Sequence, residues 1–436
     1  MEGALNLFQA TMLRWRSRHP YNATHVALVP HALDAARLRS TLASALEEAG
    51  LTGYALDASR GRYAWRGGPA SLELEVAPRP ADAGEAIRAS IERSLSRSFP
   101  REGAYVPFAF EAIPDEAGFW LLLVYDHVVA GGDSAAALLG AIAARYAGGA
   151  ALPRLERHPA RFRRLFLRHP MQTARAVAGL PRFAMRARRA RRPPGLEVRE
   201  ATNAFVMASL DAAAVGRIAE AAKRWGVTRN DVLMGALIRA VAGLKPPAAG
   251  DARRYEVAVA SIVNIRGDCA QPAARTFGQF LSSFRASHPD PVGASLEAVA
   301  RAVHAESRDL RSRRRYLRSL IALAISGLAW RAVSDERRDS LFAKHYPVWA
   351  GLTTLAVPGV WDAISPDAGR LPVGYRRGVS TGPLAPIVVA ATFTGTSLEL
   401  GVSFRPAAVP AADVRSVLDR YLSTLDALRC CLPSCP

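Results

Sequence analysis

The sequence predicts an α/β fold made of two comparable halves. Both ends of the chain alternate short strand patterns with amphipathic helical ones, the mixture expected when helices pack on sheets. Between them lies a stretch dense in arginine that closes on Pro193-Pro194-Gly195, which reads as a connector. The 436 residues are enough for two or three domains with sizeable cores. We therefore expect a first half over 1–153, a connector over 154–196 and a second half over 197–436.

The elements follow in order. Asn22 to Val29 alternates and is β-branched, so a strand is expected. Asp34 then caps a helix through Leu38, Leu42 and Leu46, which Gly50 ends. Ser71 to Val76 alternates strictly and predicts a half-buried strand, and Asp82 to Ser98 predicts a helix with Ile87, Ile91 and Leu95 on one face. An apolar strand, Phe119 to Val124, leads through a glycine-rich turn into a helix from Ala135 to Tyr146. In the connector, Phe162, Leu165 and Phe166 share a helical face, and Pro170 begins a helix over Met171 to Ala178. Asn203 to Leu210 predicts a strand, Asp211 to Trp225 and Arg229 to Leu244 predict helices, and Glu256 to Val263 an apolar strand. Ile387 to Phe393 and Ser397 to Phe404 read as paired strands around Thr394-Gly395-Thr396, and Ala411 to Leu428 as a last amphipathic helix.

Charge narrows the partners. The formal net charge is +19, and lysine occurs only at 223, 245 and 344, so the excess is arginine. Thirteen arginines and one acid, Glu156, lie between Arg154 and Arg192, and Arg311, Arg313, Arg314, Arg315 and Arg318 form a second cluster. Such fields attract phosphates, acidic proteins or anionic lipid surfaces. No nucleic-acid-binding motif accompanies them, so no specific nucleic-acid partner is expected. Cys269 is solitary, and Cys430, Cys431 and Cys435 have no histidine nearby, so neither a metal site nor a disulfide framework is expected. A cytoplasmic location, with peripheral membrane contact as the variant, is the expectation. The apolar run Ser319 to Trp330 is shorter than the roughly 20 residues that span a bilayer. It is read as a buried or tunnel-lining helix, with an interfacial anchor as the alternative.

One stretch carries chemistry: Tyr125-Asp126-His127-Val128-Val129-Ala130-Gly131-Gly132-Asp133-Ser134. A histidine just past a buried strand, held by a tight turn, suits general-base work because imidazole titrates near neutrality. Ser134 lacks a G-x-S-x-G setting, and the chain has neither a P-loop nor a dinucleotide-binding fingerprint, so serine-hydrolase and nucleotide readings are set aside.

The stretch resembles the His-His-x-x-x-Asp-Gly signature of the CoA-dependent acyltransferase superfamily, which includes condensation domains, wax ester synthases and chloramphenicol-acetyltransferase-like enzymes. Asp126 stands at the place of the first histidine and Gly131 at that of the aspartate. Val227-Thr228-Arg229-Asn230-Asp231, Val263-Asn264-Ile265-Arg266, Phe277-Gly278-Gln279-Phe280 and Gly351-Leu352-Thr353-Thr354-Leu355 resemble further segments of the family, in order. The resemblance implies two chloramphenicol-acetyltransferase-like α+β sandwiches forming a V around a tunnel. It implies acyl transfer from a CoA or carrier-protein pantetheine thioester to an alcohol or amine, with no tightly bound cofactor. His127 becomes the base, and Gly131, Gly132 and the backbone near Ser134 a bare turn that can approach the oxyanion. The lost aspartate, which in the family pairs with an arginine to hold the turn, is to be replaced by Asp133 or Asp126. Asn264, Arg266 and Thr354 are the second-half residues expected at the tunnel. A non-catalytic module binding a carrier protein, and a peripheral-membrane enzyme of the wax ester or diacylglycerol acyltransferase kind, are the competing readings.

Overall fold

A computed structural model gives the structure and describes residues 2–149, 156–157, 162–196, 198–199, 202–244, 253–269, 276–362 and 371–428. Arg154, His158, Arg161, Cys430, Cys431 and Cys435 lie outside the described residues.

The first half is built on a five-stranded sheet in the order Gly374–Val379, Asn22–Val29, Gly118–Asp126, Phe108–Asp115, Leu74–Val76. Three helices cover its faces. Ala83–Leu95 buries Ile87, Ile91 and Leu95 with Val26, Leu122 and Val124 on one side. On the other, Gly132–Tyr146 and Ala35–Ala49 pack Leu38, Leu42, Leu138 and Leu139 with Leu121, Leu123 and Tyr125. The caps follow the local chemistry. The Asp34 carboxylate accepts from Arg37 N at 3.0 Å, and Gly50 closes the helix in the left-handed region at φ 67°.

The second half carries a six-stranded sheet in the order Ala204–Leu210, Leu398–Phe404, Ile387–Phe393, Ala350–Ala356, Val257–Asn264, Leu281–His288. Ala212–Trp225, Arg229–Ala242, Leu296–Ser307 and Ala411–Asp426 supply the helices of its core. Thr228 caps Arg229–Ala242 in a reciprocal box with Asp231, whose carboxylate also takes His304 Nδ1 at 2.8 Å.

Three features depart from the sequence expectation. Ser71 to Val76 pairs over only Leu74–Val76, because it sits at the sheet edge with a single neighbour, Phe108–Asp115. Gly374–Val379, from the second half of the chain, crosses to pair antiparallel with Asn22–Val29, setting Arg377 opposite His25. Gly401 makes that crossing possible: a Cβ there would stand 2.0 Å from Arg377 O. Finally, the N-terminal helix Leu7–Arg16 sends Phe8, Met12 and Trp15 into the second-half core. Its Asn6 cap donates to Gln279 O at 2.9 Å, and Gln9 donates to Val128 O at 2.8 Å, so this helix ties the halves together beside the histidine turn.

The apolar run falls in the helix Tyr316–Ala332. One side buries Leu317, Leu320 and Trp330, while Ile325 and Leu328 stay exposed. No helix among the described residues is long and apolar enough to cross a membrane.

Candidate active site

The strand Gly118–Asp126 delivers His127 to a turn that ends where the helix Gly132–Tyr146 begins. His127 is 6% exposed. Its Nδ1 lies 3.0 Å from Ala130 O, a contact that a protonated Nδ1 satisfies by donating. The Nε2 atom then carries the lone pair, with no protein partner among the described residues. Tyr21 stacks on the ring at 5.4 Å and 27°, and Tyr125 meets it edge-on at 5.8 Å. Burial, together with the nearby Arg377 cation, lowers the imidazole pKa to about 4, against the carbonyl contact that raises it. The residue is therefore a neutral imidazole at physiological pH.

Two carboxylates brace the turn. Asp126 is fully buried and paired with Arg16; it accepts from Tyr105 Oη at 2.5 Å and from Val128 N at 3.1 Å. Asp133 reaches across to the second half. Its carboxylate takes Arg266 Nε at 2.8 Å and Asn264 Nδ2 at 2.9 Å. Arg266 also donates to Ser134 Oγ at 2.6 Å and lies over the Phe280 ring at 4.7 Å. Gly131 fits this rearrangement, because a Cβ there would meet Asp133 Oδ1 at 3.0 Å and Gln279 Oε1 at 3.2 Å.

The facing segment Thr276–Gln279 grips the turn through its backbone. Gly131 N donates to Gly278 O at 3.0 Å, and Ser134 Oγ both donates to Gly278 O at 3.1 Å and accepts from Gly278 N at 3.2 Å. Gln279 Nε2 donates to His127 O at 3.0 Å and to Ala130 O at 3.2 Å. These bonds correct one expectation. The N–H groups of Gly131 and of Ser134, the latter donating to Asp133 Oδ1 at 2.9 Å, are engaged and cannot serve an oxyanion. Gly132 N, at the positive end of its helix, has no intramolecular partner among the described residues.

A cavity of ≈ 170 Å³ opens in front of His127, between the halves. Gly132, Asp133, Asn264 and Thr354 line it, whereas Asp126, Gly131, Ser134 and Arg266 stand behind it as supports. The Thr354 hydroxyl is turned to Asn230 Oδ1 at 3.2 Å. The sequence reading did not pick out Tyr21, Gln279, Thr353 and Arg377. Gln279 sat in a quoted segment, but its part is set by contacts 152 positions away in the chain. Arg377 carried no signal beyond its place in Tyr375-Arg376-Arg377-Gly378.

Two further cavities lie in a row with this one, each sharing lining residues with the next. An apolar one of ≈ 370 Å³ shares Trp15, Ser283, Tyr346 and Leu384 with it, and is otherwise walled by residues such as Leu180, Ala322 and Ala329. That one shares Phe183 and Ser319 with a basin of ≈ 700 Å³ lined by eight arginines, among them Arg175, Arg182, Arg285 and Arg318, against one acid, Glu306. The arginine clusters of the connector and of the segment around Arg314 thus meet at one opening. Cys269 plays no part: burial raises its thiol pKa to about 12.

Two sandwiched halves, a strand passed from the second to the first, and a histidine turn facing a cavity between them make a chloramphenicol-acetyltransferase-like fold, the one that solved condensation domains have. No family model matches the sequence, and no curated protein does. Solved structures match over almost the whole chain. The first condensation domain of the calcium-dependent antibiotic synthetase, solved with a substrate analogue, has a TM-score of 0.69 at 16% identity, covering 98% of this chain and 97% of that one. A trichothecene 15-O-acetyltransferase from Fusarium sporotrichioides has a TM-score of 0.70 at 12% identity, covering 98% and 95%. The X-domain from teicoplanin biosynthesis has a TM-score of 0.58 at 18% identity, covering 98% and 95%. At these identities the likeness establishes the fold.

Proposed function

We propose that the chain is a condensation-type acyltransferase, moving an acyl group from a CoA or carrier-protein thioester to a hydroxyl or amine, in the biosynthesis of a secondary metabolite or lipid. The observation that carries this is His127: a neutral imidazole, its Nδ1 held by Ala130 O and its Nε2 turned free, on a cavity that shares a wall with an apolar cavity, which in turn borders an arginine basin. In the reaction Nε2 takes the acceptor's proton as its oxygen or nitrogen attacks the thioester carbonyl. The tetrahedral oxyanion is met by Gly132 N at the helix start. The carbon–sulfur bond breaks, and the proton on Nε2 passes to the leaving thiolate. The basin suits the phosphates of a pantetheine-bearing donor, and the apolar cavity beside it suits an acyl chain.

The test is an intact-mass assay of acyl-CoA and acyl-carrier-protein donors with alcohols and amines. Ester or amide product is expected from the wild type, with a loss of roughly 100- to 10,000-fold in H127A. Carrier protein captured without any turnover supports the binding-module reading instead. A peripheral-membrane variant of the enzyme rests on Leu167, Met171, Val177, Met185, Ile325 and Leu328, which are exposed among the connector arginines and on Tyr316–Ala332. Co-sedimentation with anionic but not neutral vesicles supports it, and no co-sedimentation removes it.

A further inference from the structure

Arg377 is a buried cation with no counter-charge among the described residues. It is 3% exposed, yet it lines the cavity in front of His127. Its Nε donates to Thr392 Oγ1 at 3.2 Å, its Nη2 to Thr353 O at 2.8 Å and Ala391 O at 3.3 Å, and its Nη1 to Thr353 Oγ1 at 3.4 Å. Every partner is a neutral oxygen, and of the guanidinium's donors one on Nη1 is left over. The neighbouring polar groups are neutral too. His25 bonds Tyr375 Oη through Nδ1 and stands 3.3 Å from Tyr125 Oη through Nε2, and burial beside Arg377 pushes its pKa well below the ordinary value. Asp133, the carboxylate on the cavity wall, is taken up by Arg266 and Asn264.

Arginines this buried are ordinarily paired, since removing the charge from water must be offset by a partner. Space for a partner exists. A Cβ at Gly132 would stand 3.2 Å from Nη1, so the bare glycine leaves that side of the guanidinium open next to the histidine turn. The wall shared with the apolar cavity lies elsewhere, at Trp15, Tyr346 and Leu384, and does not include Arg377. An anionic group paired with Arg377 would sit away from that apolar wall, on the side of the histidine turn.

We propose that the acceptor at this cavity is a small hydroxy or amino acid whose carboxylate pairs with Arg377 while His127 Nε2 faces its hydroxyl or amine. The acceptor's role rests on the acyl-transfer reading above; the anion site does not. Pairing supplies the missing counter-charge and fixes the acceptor by a charge-assisted contact, leaving the reacting group to the base.

The test separates the two claims. Binding of a panel of small hydroxy and amino acids, and of their primary amides, is measured by titration calorimetry on the full-length wild type, R377Q, R377K and H127A. The acids should bind the wild type about tenfold or more tightly than the amides. R377Q should abolish that preference, R377K should restore part of it, and H127A should keep it. Equal binding of acid and amide to the wild type overturns the inference without needing any variant to fold. In turnover, R377Q should raise KM for acid acceptors well beyond any change it makes for their amides. A fall in kcat for acids and amides alike would instead make Arg377 an oxyanion donor and overturn the carboxylate role. Retained acid preference with no transfer from any thioester overturns the acyl-transfer reading and leaves the anion site standing.

Discussion

The two carboxylates that flank His127 do different work although they lie seven positions apart. Asp126 and Arg16 are both sealed from solvent, at 0% and 3% side-chain exposure, within a cluster that also holds Tyr105 and Pro100 O. Asp133 and Arg266 keep 21% and 11% and join one half to the other. A sealed pair is worth most through what its breakage leaves behind, an uncompensated buried ion. A half-open pair contributes little to stability but fixes position. The first pins the strand end that carries the histidine, and the second sets the turn against Thr276–Gln279.

That contrast predicts a ranking. D126A should lose about 3–5 kcal/mol of stability in denaturant unfolding, because Arg16 is stranded; a loss no larger than that of D133A would erase the distinction. D133A should cost only about 1–2 kcal/mol. Its transfer rate should nonetheless fall roughly tenfold to a hundredfold, since the turn is no longer held in register. A D133A enzyme at full rate would reduce the clasp to decoration. The recovery expected of a double variant sharpens the account most. G131D should be destabilising by about 1–3 kcal/mol, because it packs a second carboxylate against Asp133 and Gln279. G131D/D133S should recover much of that, as the acid returns to the position it holds in the family signature. Additive losses, read from a double-mutant cycle, would mean the two positions do not exchange the same role.

The sequence made the halves legible because strands such as Asn22–Val29 and helices such as Ala35–Ala49 advertise their buried faces by spacing. It made the histidine legible through its turn. It singled out Asp133 and Arg266 separately but not as a pair, because they are 133 positions apart and only the fold brings them to 2.8 Å. Gly374–Val379 was hidden for a related reason: Gly-Tyr-Arg-Arg-Gly-Val has little strand character, and pairing with Asn22–Val29 makes it one. Leu7–Arg16 was missed although Asn6 and Gln9 have the spacing of a capping box, a signal that was present and unread.

The central claim is that a neutral, buried His127 is the working base, and the pH dependence of kcat/KM tests it most directly. This profile reports the essential groups of the free enzyme and free substrate, and a neutral alcohol acceptor with neither carboxyl nor amine keeps the acceptor's own titration out of it. Burial lowers the imidazole pKa from 6.5 to about 4, so the base form persists well below neutrality. The account predicts a flat profile through mildly acidic pH, with the acid limb falling near 4. A limb near 6.5 would contradict it, placing the catalytic group in water rather than in the cavity between the halves.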